Sequence, residues 1–122
     1  MRYNLNAGYG QVTGTFPLTG GGRVFYVASD SDPGADVARE LFLPDVDGVV
    51  RFQATIDAAV GACTANQGDV ILVNAFHLET VIAAGGIDLD VAGITVIGLG
   101  SNSRRPQINF TTAATADIDI DA

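Results

Sequence analysis

The sequence predicts an all-β protein with a small α-helical cap: the N-terminal cap and first coils of a right-handed parallel β-helix, which is a solenoid. Short apolar runs, too short for helices, recur after Gly68 and are separated by Gly, Asn and Ser. The strands that hold Val70, Ile94 and Asp117 start at nearly equal intervals along the chain. Such a period, about 20–25 residues, is typical of solenoids. A helical pattern directly before the first run predicts the cap.

The chain divides into three parts. Residues 1–22 are rich in glycine and hold one charge, Arg2, so we expect an extended arm that becomes ordered against a neighbour. Residues 23–67 are expected to form an N-terminal strand, turns and the capping helix. Residues 68–122 are expected to form the first coils of the solenoid.

The elements after the arm are predicted from the strand and helix propensities of the residues and from the turn residues between them. Residues 23–28 are β-branched and aromatic, which predicts a strand. Residues 29–34 form a turn cluster of Ser, Asp, Pro and Gly. Residues 35–43 predict a short helix that ends before Pro44.

Residues 55–66 predict the capping helix. Ile56, Val60 and Cys63 fall on one helical face, with Thr55 as the N-cap. We expect this face, and Cys63 with it, to be buried against the end of the strands. A single cysteine excludes an internal disulfide and a zinc site built from several thiolates.

Within the coils, alternation predicts which side chains point inward. One coil buries its inward residues only if another coil stacks on it. The inward stacks are expected to contain the following residues, or those that alternate with them: Ile71 and Val73, Thr95 and Ile97, and Ile118 and Ile120.

Composition limits the classes of partner. The chain of 122 residues is 48% hydrophobic, and its six basic residues are all arginines, against 14 acidic residues and a net charge of −8. Such an acidic surface disfavours binding to nucleic acids and to anionic membranes, because proteins bind both through basic patches. We also expect no signal peptide and no membrane-spanning helix, because no long apolar run is present.

Parts of the sequence resemble two groups of known proteins. The first group is the pectate-lyase-like right-handed β-helix proteins, whose start is similar to the helix at 55–66 and to the stretches 68–73, 79–81, 93–98 and 105–108. The match lies within residues 52–122 and concerns the fold only, since that group includes lyases, hydrolases, tailspikes and non-enzymes. No stretch matches the calcium-binding or catalytic residues of the lyases.

A narrower resemblance concerns β-helix proteins encoded among the structural genes of tailed bacteriophages. It rests on stretches distributed along the chain, namely 22–27, 47–52, 62–66, 68–70 and 97–100. The resemblance implies a component of a virion rather than an enzyme.

Two groups of acids are candidates for chemistry. By alternation, the acids of each group lie on one face of a strand: the first group is Asp88 and Asp90, and the second is Asp117, Asp119 and Asp121. Paired carboxylates bind calcium or act as acid and base in glycoside hydrolysis. The alternative, a solvated outer face with Ile and Leu pointing inward, is favoured.

His77, the single histidine, shares a face with Glu79. Such a pair is suited to proton transfer, but a solvent-facing pair near a turn is the favoured interpretation. Arg104 and Arg105 lie in a turn and are suited to gripping a carboxylate of a partner, although an ordinary exposed loop is favoured. We therefore assign no catalytic residue, no cofactor and no metal.

The resemblance implies a non-enzymatic structural protein of a phage particle, either a capsid decoration (cement) protein or another head-associated protein. We expect synthesis in the host cytoplasm, a place on the capsid surface, a homotrimer, and contacts with the major capsid protein or neighbouring subunits. The candidate contact residues lie in the arm and in the later turn: Arg2, Tyr3, Tyr9, Phe16, Arg104 and Arg105.

The alternative is a tailspike or fibre that binds or cleaves a host polysaccharide as a lyase or hydrolase. A third hypothesis is a carbohydrate-binding module. Sugar clefts commonly present aromatic side chains, and the absence of tryptophan disfavours both.

Overall fold

A computed structural model of the chain describes residues 22–111 and 115–121. They form a small α/β protein with short parallel strands and two short helices. The strands are β1 (Val24–Val27), β2 (Phe52–Gln53), β3 (Val70–Val73), β4 (Leu78–Val81), β5 (Ile87–Leu89), β6 (Thr95–Gly98), β7 (Gln107–Phe110) and β8 (Ile118–Ile120). The helices are α1 (Ala35–Leu41), α2 (Ile56–Ala62) and a 3₁₀ helix (Asn102–Arg104).

The described strands form three separate parallel sheets. The main sheet has the order β2-β1-β3-β6, and the two smaller sheets pair β4 with β7 and β5 with β8. Strand β3 is the most deeply buried, because all four of its residues are covered and it is paired on both edges. It therefore fixes the positions of its neighbours.

The predicted all-β solenoid, a right-handed parallel β-helix, is wrong. The structure is instead a small α/β protein whose parallel sheets have four, two and two strands and neither close nor form a solenoid. The strands are only two to four residues long, and β1, which the sequence placed before the coils, is inserted between β2 and β3.

The register explains why the regular spacing was misleading. The predicted stacking of β6 on β3 is confirmed, but β8 pairs with β5 and not with β6. Thr95 lies opposite Val70, whereas Ile118 lies opposite Ile87, so the two pairings join strands at different separations along the chain. The spacing from residue 94 to residue 117 therefore joined strands of two different sheets.

The same register decides between the two alternatives that the pattern left open for the residues of β6. The sequence pattern aligned Ile94 with Val70, whereas in the structure Thr95 is the partner of Val70. Val96 consequently lies opposite Ile71 and shares its face, whereas Thr95 and Ile97 lie on the other face of the strand. Val96 itself is exposed. A shift by a single position changes the face on which every side chain of the strand lies, because the period of a strand is two.

Both predicted helices form, and both end early. Thr55 caps α2 as predicted, since its side chain accepts the N–H of Ala58 at 3.1 Å. The helix ends at Ala62, although the pattern extended to residue 66, because Cys63 is extended and the N–H of Thr64 donates to the Asp69 carboxylate at 2.8 Å. Helix α1 ends two residues before its predicted end at residue 43.

One hydrophobic cluster joins α2 to all three sheets. Ile56 and Val60 are buried as predicted, whereas Cys63 is half-buried at the margin of the cluster. The buried members are Phe25, Val27, Ile56, Ala59, Val60, Ile71, Val73, Val81 and Ile87. Within the described residues, no helix is long and apolar enough to cross a bilayer.

We expect Val60→Ala to lower the free energy of unfolding by about 1–3 kcal/mol, because it removes buried methyl groups and leaves a cavity. Val37→Ala on α1 is the matched control, since Val37 is largely exposed and the helical substitution is the same. Urea denaturation of both variants measures the difference. Equal shifts in the two variants would show that α2 does not pack as described.

Candidate functional sites

The single histidine lies in a buried charged cluster. His77 directly precedes β4 and is 1% exposed. Its Nδ1 is 2.6 Å from an Asp32 carboxylate oxygen, and its Nε2 is 3.0 Å from a Glu79 carboxylate oxygen. Both ring nitrogens are therefore engaged.

Each carboxylate of this cluster is held by a different part of the chain. Asp32 accepts the Ser29 N–H and the Ser29 hydroxyl, both at 2.8 Å, which closes the turn before α1. Glu79 on β4 accepts the N–H of Ile56, the first residue of α2, at 2.7 Å. The cluster thus ties a turn, a helix N-terminus and a strand to one imidazole.

The cluster favours a protonated histidine. Burial lowers the pKa of His77, but the hydrogen bonds and charges of Glu79 and Asp32 outweigh burial, so the pKa lies above its usual value. Burial likewise raises the pKa of Asp32, yet the hydrogen bonds from His77 and Ser29 outweigh it, so that pKa is lowered. A charged imidazolium donating to two carboxylates satisfies all three groups.

The prediction that His77 and Glu79 form a solvent-facing pair is wrong. Strand alternation placed the two residues on one face correctly, but that face is covered by the turn that holds Asp32. Both ring nitrogens are bonded to carboxylates, so neither is free to exchange a proton with a substrate. The arrangement is suited to holding the fold together rather than to proton transfer.

The second cluster is a group of aspartates beside β5. Asp57, Asp88 and Asp90 line a cavity of about 220 Å³ together with Gly61 and Gly85. The N–H of Asp88 donates to Asp57 at 3.0 Å, and Asp88 Oδ1 is buried without a hydrogen-bond partner among the described residues. Burial, followed by repulsion from Asp90, Asp119 and other carboxylates, raises the pKa of Asp88.

The later acids differ in exposure. Asp90, Asp119 and Asp121 are exposed, as predicted for a solvated outer face, whereas Asp88 is half-buried. Asp117 accepts the N–H of Gly85 at 2.9 Å. Across residues 22–111 and 115–121, no three His, Cys, Asp or Glu side chains are grouped so that they could hold a metal ion.

The thiol of Cys63 is unreactive in this environment. Burial, and then the charge of Asp69, raises the pKa of its thiol to about 12. Its Sγ donates to the Ala59 carbonyl oxygen at 3.3 Å. Because the thiolate is the reactive form, such a thiol is a poor nucleophile at neutral pH.

The predicted partner-contact residues are described only in part. Arg104 ends the 3₁₀ helix, Arg105 follows it, and both are exposed in a loop, as the favoured interpretation held. The Arg105 Nε donates to the Asn102 carbonyl oxygen at 3.1 Å. The arm residues Arg2, Tyr3, Tyr9 and Phe16 lie outside the described residues.

The last strand of each sheet carries exposed apolar side chains. Val96 of β6, Phe110 of β7, and Ile118 and Ile120 of β8 are exposed, although each lies in register with a core or core-packed residue. We call this surface, formed by the last strand of each sheet, the open edge. Only the true register could have identified its members.

A cavity of about 290 Å³ lies beside β6 and β7 at the open edge. Apolar side chains dominate its lining, and His77 forms part of its wall. The complete lining is Ile56, Val73, His77, Val96, Gly98, Arg105, Pro106, Gln107 and Ile108.

Comparison with protein-family models, with curated proteins and with solved structures gave no significant match.

The buried cluster predicts how stability depends on pH. Because the folded pKa of His77 is raised, its contribution is complete below its ordinary value of 6.5 and is lost as the pH rises through the raised value. Because the folded pKa of Asp32 is lowered, its contribution is complete above its ordinary value of 3.8 and is lost as the pH falls through the lowered value. The cluster therefore stabilises the fold most between pH 3.8 and pH 6.5, the ordinary pKa values of the two groups.

We expect the free energy of unfolding to decrease above pH 6.5. His77→Gln should remove this decrease. It should also lower the free energy of unfolding by about 3 kcal/mol or more, because it breaks a buried charged pair. Urea titrations from pH 5 to pH 9 measure both effects, with Asp36→Asn as the exposed-acid control. NMR titration of the single imidazole in the unmodified chain is an independent check. An imidazole that titrates at or below 6.5 would contradict the cluster.

Proposed function

We propose that the chain is a non-enzymatic structural protein of a phage particle, such as a capsid decoration or other head-associated protein. In this proposal it is made in the host cytoplasm and docks on the capsid surface, on the major capsid protein or on neighbouring subunits. Assembly as a homotrimer remains a prediction.

The observation that supports the proposal is the open edge. Val96 lies opposite Ile71, Phe110 opposite Val81, and Ile118 opposite Ile87. The earlier member of each pair is buried, and the later one is exposed. Apolar side chains in core register without a cover are typical of a surface that another polypeptide buries.

The backbone supports the same interpretation. In the described residues, β6, β7 and β8 each pair on one edge only. An unpaired edge presents a row of N–H and C=O groups that an added strand satisfies at about 4.8 Å spacing. The open edge thus combines unpaired backbone with uncovered apolar side chains in all three sheets.

The state of the reactive side chains supports a non-enzymatic role. His77 is buried with both nitrogens engaged, and the pKa of the Cys63 thiol is about 12. The resemblance of several stretches to proteins encoded among tailed-phage structural genes supports the virion setting.

One observation favours the second candidate, a tailspike or fibre that cleaves host polysaccharide. The pKa of Asp88 is raised in a cavity that also holds Asp57 and Asp90. A carboxyl with a raised pKa beside a second carboxylate is the arrangement that glycoside hydrolysis uses. No aromatic residue lines this cavity, however, and sugar sites commonly stack rings on aromatic side chains.

We expect the chain to sediment with phage particles. Particles induced from the organism that encodes the chain are purified on a density gradient, and tryptic peptides are quantified by mass spectrometry in particle and soluble fractions. A constant ratio of this chain to the major capsid protein across the particle peak is the expected result. Recovery only in the soluble fraction would refute the virion role.

We also expect no cleavage of host surface polysaccharide. The purified chain is incubated with glycan from the host, and reducing and unsaturated ends are measured, with Asp88→Asn and Asp36→Asn as test and control variants. Release of ends that Asp88→Asn abolishes and Asp36→Asn preserves would favour the tailspike alternative.

A further inference from the structure

Strand β8 is the part of the open edge whose surroundings specify a partner most fully. It pairs with β5 on one side, where the N–H of Asp121 also donates to the Leu89 carbonyl oxygen at 3.3 Å. All three residues of β8 are exposed, and no described strand pairs with its other side.

The apolar residues of β8 continue rows that begin in the core. Ile118 lies opposite Ile87, which is buried, and Ile120 lies opposite Leu89, which packs against the core cluster. Ile120 is 74% exposed. A strand added alongside β8 would cover both isoleucines if it placed apolar residues at the same two positions.

Between the two isoleucines, Asp119 lies directly opposite Asp88. Like charges opposite each other destabilise a sheet. Asp57, Asp90 and Asp121 add to the negative charge around Asp88. Within residues 22–111 and 115–121, every arginine–carboxylate ion pair involves Arg23 or Arg39, so none neutralises this group.

The geometry points to a partner of defined chemistry: we propose that the free side of β8 binds an extended segment of another protein in which a basic residue lies between two apolar residues. The apolar residues would cover Ile118 and Ile120, and the basic residue would lie beside Asp119. This inference rests on the proposed assembly role and deepens it by naming the recognition chemistry.

Charge argues against a second copy of this chain as the occupant. Pairing two β8 strands edge to edge would bring two copies of Asp119 and Asp121 to one interface, between chains that each have a net charge of −8. A basic segment instead places a positive charge beside Asp119 and converts the repulsion into attraction.

The test uses the full 122-residue chain and fluorescein-labelled peptides of about nine residues, a length that spans an added strand. One peptide alternates isoleucine with arginine, a second alternates isoleucine with glutamate, and a third alternates serine with arginine. Fluorescence anisotropy measures binding at low and high salt, and NMR shifts of residues 118–121 report the location.

We expect the isoleucine–arginine peptide to bind at least about tenfold more tightly than either of the others, and to weaken as salt increases. Asp119→Asn and Ile120→Ser should each weaken its binding about threefold or more, whereas the matched exposed controls Asp36→Asn and Val46→Ser should not. Thermal melts show that the variants fold, and Asp119→Asn should melt no lower than the parent because it relieves repulsion.

Three results would overturn the inference: equal binding of the isoleucine–glutamate peptide, insensitivity to both β8 substitutions, or self-association that Ile120→Ser abolishes, which would assign the edge to a second copy. The particle-sedimentation experiment is independent. If the chain sediments with particles but shows no preference for the basic peptide, this inference fails and the structural role stands.

Discussion

The burial of β3 is the constraint on which the rest of the structure depends. All four of its residues are covered, and it pairs in parallel with β1 on one edge and β6 on the other. Parallel strands need a crossover connection, so this one strand requires the chain to leave and return on both sides. Close approach adds to the constraint, since a Cβ at Gly22 would lie 2.3 Å from the Gly68 carbonyl oxygen.

Buried polar residues occur where β3 begins and ends. Asp69, directly before it, accepts the N–H groups of Arg23 and Thr64, and Asn74, directly after it, bonds to Tyr26, Pro33 and Ala75. His77 follows a turn later with its two carboxylates. These groups satisfy backbone and side-chain polar atoms that burial would otherwise leave unpaired. Asp69, Asn74 and His77 are thus all hydrogen-bonded within the fold.

Some strands are covered by other elements, whereas the last strand of each sheet is not. Helix α2 packs against β1, β2, β3 and β5, and the turn with Asp32 covers His77 near β4. Strands β6, β7 and β8 expose side chains in core register. Arg104 and Arg105 precede β7, and Asp117, Asp119 and Asp121 lie in or beside β8. A partner that matches both the apolar rows and this charge pattern would bind in one orientation, because electrostatic complementarity selects register more than it adds affinity.

The sequence by itself determined the local elements: the strand at β1, the Thr55 cap and apolar face of α2, the pairing of β3 with β6, and the exposure of the late acids. It did not determine the fold class, because the spacing that suggested a solenoid joined strands of two different sheets. Tertiary structure alone decided that Val96, rather than Thr95 or Ile97, shares the face of Ile71, since one position of register selects a strand's face. It alone buried His77 as well, because Asp32 is distant from the imidazole along the chain, and no local pattern encodes a contact that only the folded packing brings together.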